Sequence, residues 1–226
     1  MKKRATALLL ALLMILPMAG CGVRAQELTK DIEPQALDTT TDLTAGGEAV
    51  TAFALSLLRS ERAATEGVLI SPVSVLNALG MVANGAGGDT LKQLETAAGM
   101  SLNQLNDFLY TYRMSLPAAC KSCTVSLANS AWVREDFRVE DDFLRSCVNY
   151  YGAEMYRSAF DGSLVTDLNR WVSQKTDGMI DRLLEQAPDV LTMLYLVNAA
   201  CFDARWDTPY TCLLYTSPSP RDGLLS

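Results

Sequence analysis

Six cysteines and no histidine set the chemistry open to this chain of 226 residues. Without an imidazole there is no Ser/His/Asp or Cys/His nucleophile arrangement, and none of the common His-bearing zinc sites. Lysine could serve as the base for a serine nucleophile, but no Ser-x-x-Lys occurs. Cys120-Lys-Ser-Cys123 has the spacing of a redox couple or of half a zinc site, and no second Cys-x-x-Cys completes it. A small loop disulfide and two free thiols both fit that pair. Cys147 and Cys201 fall at apolar positions of a helix and a strand, where cysteine acts as a small buried hydrophobe. A formal charge of -7 with no long basic run excludes an electrostatic grip on nucleic acid. Hydrolase chemistry, a metal and a cofactor are therefore not expected.

Cys21 has a more specific context. Lys2, Lys3 and Arg4 precede a run from Ala5 to Ala19 that is apolar but for Thr6, too short to cross a bilayer and suited to a secretory signal. Met18-Ala19-Gly20-Cys21 resembles a bacterial lipobox, in which small residues fit the signal peptidase and the cysteine takes the lipid. An ordinary signal peptide followed by a chance cysteine is the other reading. Residues 1–20 are the signal peptide, and cleavage before Cys21 removes three basic residues, leaving 16 against 26 acidic ones and a charge of -10. The protein is then extracytoplasmic, lipid-anchored to the bacterial cell envelope or secreted. From Gly22 to Glu48 the polar, weakly periodic sequence predicts a flexible tether, so 21–48 is a lipidated cysteine and its leash.

The elements beyond the tether are well marked. Val50, Phe53, Ala54, Leu57 and Leu58 predict a helix from about Glu48 to Arg62. Val68-Leu69-Ile70 reads as a short strand before Ser71-Pro72, where serine can cap a helix and proline take its first position. Val75, Leu76, Leu79, Val82 and Ala83 continue that helix to the glycines at 85, 87 and 88. A third helix opens at Asp89, with Leu91 and Leu94 inward, and a Ser101/Gln104 capping box opens a fourth, which buries Leu102, Leu105, Phe108 and Leu109. Residues 124–133 alternate as a strand, with Asn129 breaking its apolar side. A helix to Gly152, a strand over 153–160 and a helix from Leu164 to Gly178 follow. The nearly unbroken apolar run Leu191–Phe202 suits a central strand covered on both faces. Its one strongly polar residue, Asn198, needs a hydrogen-bond partner elsewhere.

These residues resemble the serpin family. Ser71-Pro72-Val73-Ser74, Ala78-Leu79-Gly80-Met81-Val82 and Gly85-Ala86-Gly87-Gly88-Asp89-Thr90 look like its second-helix signature. Leu127-Ala128-Asn129-Ser130-Ala131-Trp132-Val133 looks like its second A-sheet strand, and Leu168-Asn169-Arg170-Trp171-Val172 with Thr176-Asp177-Gly178-Met179-Ile180 like helix F and its exit. Leu196-Val197-Asn198-Ala199-Ala200-Cys201-Phe202, Trp206 and Pro209-Tyr210 are similar to the third A-sheet strand and the turn beyond. The segments stand in family order from about residue 49 to 211. Asp203-Ala204 departs from the family's usual Lys-Gly and leaves that local turn open.

The resemblance implies an α+β fold of helices on a large central sheet A. It also implies a mechanism, in which a reactive loop is cleaved by a serine protease and enters sheet A between its third and fifth strands. Ser71, Ser74 and Asn198 match the shutter cluster where the sheet opens, and Trp206 matches the breach at its top. Residues 49–211 are then the amino-terminal half of a serpin domain. Residues 212–226 resemble the translation of a sequencing adapter, and the fifth strand and reactive loop are expected to be absent from this chain. The expected partners of the full-length protein, a monomer, are a serine protease and, through the lipid, a membrane. A non-inhibitory serpin acting as a binding protein is the alternative.

Overall fold

The computed structural model describes residues 25–37, 41–60, 67–119 and 123–205. In chain order these form β1 (Gln26–Glu27), α1 (Leu43–Ser60), α2 (Pro72–Gly85), α3 (Gly88–Ala98), α4 (Leu102–Ala119), β2 (Cys123–Arg134), α5 (Asp141–Tyr151), β3 (Glu154–Ser158), α6 (Gly162–Lys175) and β4 (Leu194–Ala204). Local chemistry accounts for most of the boundaries. Ser71 accepts from the Ser74 amide and Pro72 takes the first helical position of α2, while Ser101 and Gln104 close a reciprocal capping box on α4. Gly152 ends α5 at φ 58°, and Gly178 at φ 76° turns the chain away from α6; both are left-handed positions that favour glycine.

The four strands form one sheet in the order β1-β3-β2-β4. β2 runs parallel to β3 and antiparallel to β4, in a register that sets Asn129 directly opposite Asn198. Alternation along β2 serves two cores. Ala131 points into a cluster with Phe53, Leu76, Met81, Leu105, Phe108, Leu144 and Met155, built with α1, α2, α4 and α5. Trp132 points the other way, into a cluster with Tyr156, Leu164, Leu168, Trp171 and Val197 beneath α6. The sheet is thus a middle layer, with five helices on one side and α6 on the other.

Two expectations change. The stretch expected as a tether is largely docked: Gln26 and Glu27 pair with β3, Thr29 is buried, and Leu28 and Ile32 pack on the core. Helix α1 also starts at Leu43, with the Asp42 carboxylate accepting from the Thr44 amide at 2.8 Å. Sparse apolar residues among polar ones give no periodic signal, yet they suffice when a sheet edge supplies the backbone bonds. Residues 68–70 form no strand, and Leu69 is 99% exposed. Three residues cannot hold an extended ladder alone, and no described strand lies beside them. With the fifth strand expected to be absent, β4 pairs only with β2 among the described residues, and Phe202 is 69% exposed.

Candidate functional site

The sheet's polar centre is a line of asparagines crossing from α2 through β2 to β4. Asn77 lies on the buried face of α2, two turns from its capping serine; its Nδ2 donates to the Val73 carbonyl at 2.8 Å. Asn129 Nδ2 donates to Asn77 Oδ1 at 3.3 Å and to the Tyr151 carbonyl at 2.9 Å. Asn198 Nδ2 donates to Asn129 Oδ1 at 2.8 Å, as their register allows. Asn77 and Asn129 are 4% and 1% exposed, so water cannot replace these bonds. Asn198 Oδ1 is buried and has no partner among the described residues.

Of the residues singled out by sequence, Ser71 and Ser74 meet each other, hydroxyl to hydroxyl, at 2.8 Å. Their described side-chain bonds are mutual, and the partner of Asn198 is Asn129. Among the described hydrogen bonds Ser71 and Ser74 therefore pair with each other, while Asn198 joins Asn129 and Asn77. Asn129 was visible in sequence as a polar break on an apolar face; Asn77 gave no signal beyond being an amide within an apolar helix. Cys21, Cys120, Trp206 and residues 212–226 lie outside the described residues. Cys123 is disulfide-bonded, which removes the free-thiol reading for that residue. Cys147 and Cys201 are buried free cysteines, and burial pushes the Cys147 thiol up to about 12, far from a nucleophile's range.

A second polar knot joins α2, α4 and α5. Asn84 Nδ2 donates to Asn106 Oδ1 at 2.9 Å and to Tyr151 Oη at 3.3 Å, Asn106 Nδ2 donates back to Asn84 Oδ1 at 3.0 Å, and the Tyr151 hydroxyl donates to Asn106. Gly80 makes room for it. A Cβ there would lie 2.3 Å from Tyr151 Oη. Burial, with Cys147 nearby, holds the Tyr151 phenol far above its usual value, so it stays a neutral donor.

The third knot fastens α6 to β3. Glu154 accepts from Tyr156 Oη at 2.8 Å, from Trp171 Nε1 at 2.6 Å and from Lys175 Nζ. Burial works against its charge, but the three donors outweigh it and hold the carboxyl below its ordinary 4.5. A depressed folded-state pKa stabilises above the unfolded value, and that contribution is lost as pH falls through the folded one. Glu154→Gln should therefore flatten the loss of stability below pH 4.5. Urea midpoints at neutral pH and in acid check this; parallel pH curves for parent and variant would contradict it.

Among the described residues no group of His, Cys, Asp and Glu could hold a metal, and no helix is long and apolar enough to cross a membrane. What the geometry offers is a sheet with β1 at one edge and β4 at the other, and an unpaired amide oxygen near the middle of β4. The family model Serpin (serine protease inhibitor) matches residues 48–217, most of the chain and six residues past Thr211. Serpin B9 of Homo sapiens is 34% identical over 167 residues, covering 70% of this chain and 44% of its own length. Neuroserpin of Gallus gallus is 30% identical over 171 residues, covering 72% and 42%. The crystal structure of tengpin, a thermophilic serpin, in its native state superposes with a TM-score of 0.76 and 38% identity, covering 82% of this chain and 48% of the other. The chain belongs to the serpin family. It spans less than half the length of each of these relatives.

Proposed function

We propose that the full-length protein inhibits serine-type, and by the same chemistry cysteine-type, peptidases by offering a loop for cleavage and taking it into the sheet as a new strand. The observation that supports this is β4. It pairs on one side only among the described residues, its composition is that of a covered strand, and Asn198 Oδ1 near its centre has no donor. By resemblance the cut loop would enter on that side of β4, between it and the fifth strand of the sheet. The asparagine line then acts as the fastening across the region that must open. The described strands β1 to β4 supply part of the sheet, and the inhibition is proposed for the full-length protein.

Incubating the full-length protein with trypsin-like and subtilisin-like peptidases should remove their activity progressively, at close to one inhibitor per enzyme. This chain alone should remove none. Cleavage of the full-length protein with peptidase activity intact would support a non-inhibitory binding protein instead. We also propose that Cys21 is the mature amino terminus, carries lipid and holds the protein outside the cytoplasm. Cys21→Ala should release the protein from membranes or leave it unprocessed; a variant that enters the detergent phase like the parent contradicts the anchor.

A further inference from the structure

Residues 25–37 lie along the outer edge of β3 as a bound peptide would. Gln26 and Glu27 pair with Arg157 and Tyr156, the Leu28 amide donates to the Met155 carbonyl at 2.7 Å, and the Met155 amide donates back to Thr29 Oγ1 at 3.1 Å. The chain then turns, with the Ile32 amide donating to the Thr29 carbonyl at 2.9 Å, and sets Leu28 and Ile32 on the core. Both ends are tied. The Ala25 amide donates to Asp167 Oδ2 of α6 at 2.8 Å, and beyond the turn the Gln35 amide donates to Asn149 Oδ1 of α5 and the Leu37 amide to Tyr110 Oη of α4, each at 3.0 Å. Most of these bonds use the backbone of the segment, whereas Leu28, Thr29 and Ile32 are read through their side chains. Sheet edges that bind extended peptides divide the work in this way, with main chain for affinity and side chains for selection.

We infer that the outer edge of β3 is a peptide-binding groove selective for Leu-Thr-x-x-Ile, that its occupant is the chain's own segment 25–37, and that this segment guards the edge against pairing with a second copy of the protein. The groups that hold the segment are fixed by the body itself. Asp167 is paired with Arg170 at 2.9 Å, and Arg113 lies over the Tyr110 ring and donates to the Asn149 carbonyl at 3.4 Å. Their acceptor atoms are therefore in place without the segment, as a preorganised groove requires. The segment in turn satisfies backbone groups that nothing else reaches. Without it the Met155 amide and carbonyl lose their partners, and an edge with bare backbone groups recruits strands from other chains.

The test uses the full-length protein with the recognition sequence of a site-specific viral peptidase inserted after Leu37, so that the segment is cut from the body only after folding. The cut segment is stripped in mild urea and the body returned to buffer. A synthetic peptide of residues 25–37, acetylated at its amino end, should bind the stripped body and slow hydrogen exchange at the Met155 amide. The same peptide with Thr29→Val should bind about tenfold more weakly, the effect of one buried hydrogen bond, and a scrambled sequence should not bind. By gel filtration the stripped body should form dimers and larger species that the peptide returns to monomer. Uncut protein carrying Leu28→Pro with Thr29→Val, whose segment lacks the bonds to Met155, should self-associate in the same way without any cut. A body that fails to bind the peptide, binds the scrambled sequence equally, or exchanges the Met155 amide at an unchanged rate overturns the groove. Stripped body and uncut variant that both stay monomeric overturn the guard.

Discussion

Asn129→Ala is expected to destabilise the folded full-length protein by about 3–5 kcal/mol, since three partners lose their bonds at once and each unpaired buried group costs ~1–3 kcal/mol. The Tyr151 carbonyl and Asn77 Oδ1 lose their donor, and Asn198 Nδ2 loses its acceptor, in a site where Asn129 is 1% exposed. Because this line fastens α2 and β2 to β4, a protein weakened here should also open its sheet and polymerise. Asn198→Ala removes one bond of the same line and should cost less, about 1–3 kcal/mol. Denaturant midpoints and monomer content by gel filtration check both. An Asn129→Ala protein within about 0.5 kcal/mol of the parent, the range of ordinary surface substitutions, would mean that the line carries no load.

Gly80→Ala is the second large effect. The new methyl would stand 2.3 Å from Tyr151 Oη and 2.9 Å from ring carbons of a side chain that is 1% exposed. Tyr151 must move, which adds an overpacking cost of about 1–3 kcal/mol to the ~1–3 kcal/mol of hydroxyl bonds it forfeits. The expected total is about 3–5 kcal/mol on those same figures. Tyr151→Phe alone should cost about 1–3 kcal/mol, the share of that total due to its hydroxyl bonds. Combined with Gly80→Ala it should recover part of the loss, because the methyl then meets no hydroxyl. A denaturant-based double-mutant cycle reads this coupling. Simple additivity would show that the close approach at Gly80 is not what matters.

How far the fold was legible depended on periodicity. Helices α2 to α6 and strands β2 to β4 were readable because each repeats apolar residues at its own period or carries a cap, as Ser71-Pro72 and Ser101/Gln104 do. The segment 25–37 was not, because its order comes from the edge of β3 and from Asp167, Asn149 and Tyr110, all more than seventy residues away in sequence. Gly46, read as part of a tether, lies inside α1, where a Cβ would strike the Phe108 ring; only the packing of α1 on α4 gives it meaning. The candidate site divides in the same way. That Asn198 needs a partner follows from one polar residue in an apolar run, but that the partner is Asn129 follows from the β2–β4 register. Glu154 gave no sequence signal, because its donors come from two elements that meet only in the folded chain.

Strand addition beside β4 is tested most directly by the thermal unfolding midpoint of the full-length protein before and after a peptidase cuts its loop. By the proposed mechanism the cut loop adds a hydrogen-bonded strand to the sheet beside β4, so the cleaved protein is expected to unfold at a clearly higher temperature than the intact one. A cleaved protein that unfolds at the same temperature or a lower one would contradict the insertion mechanism.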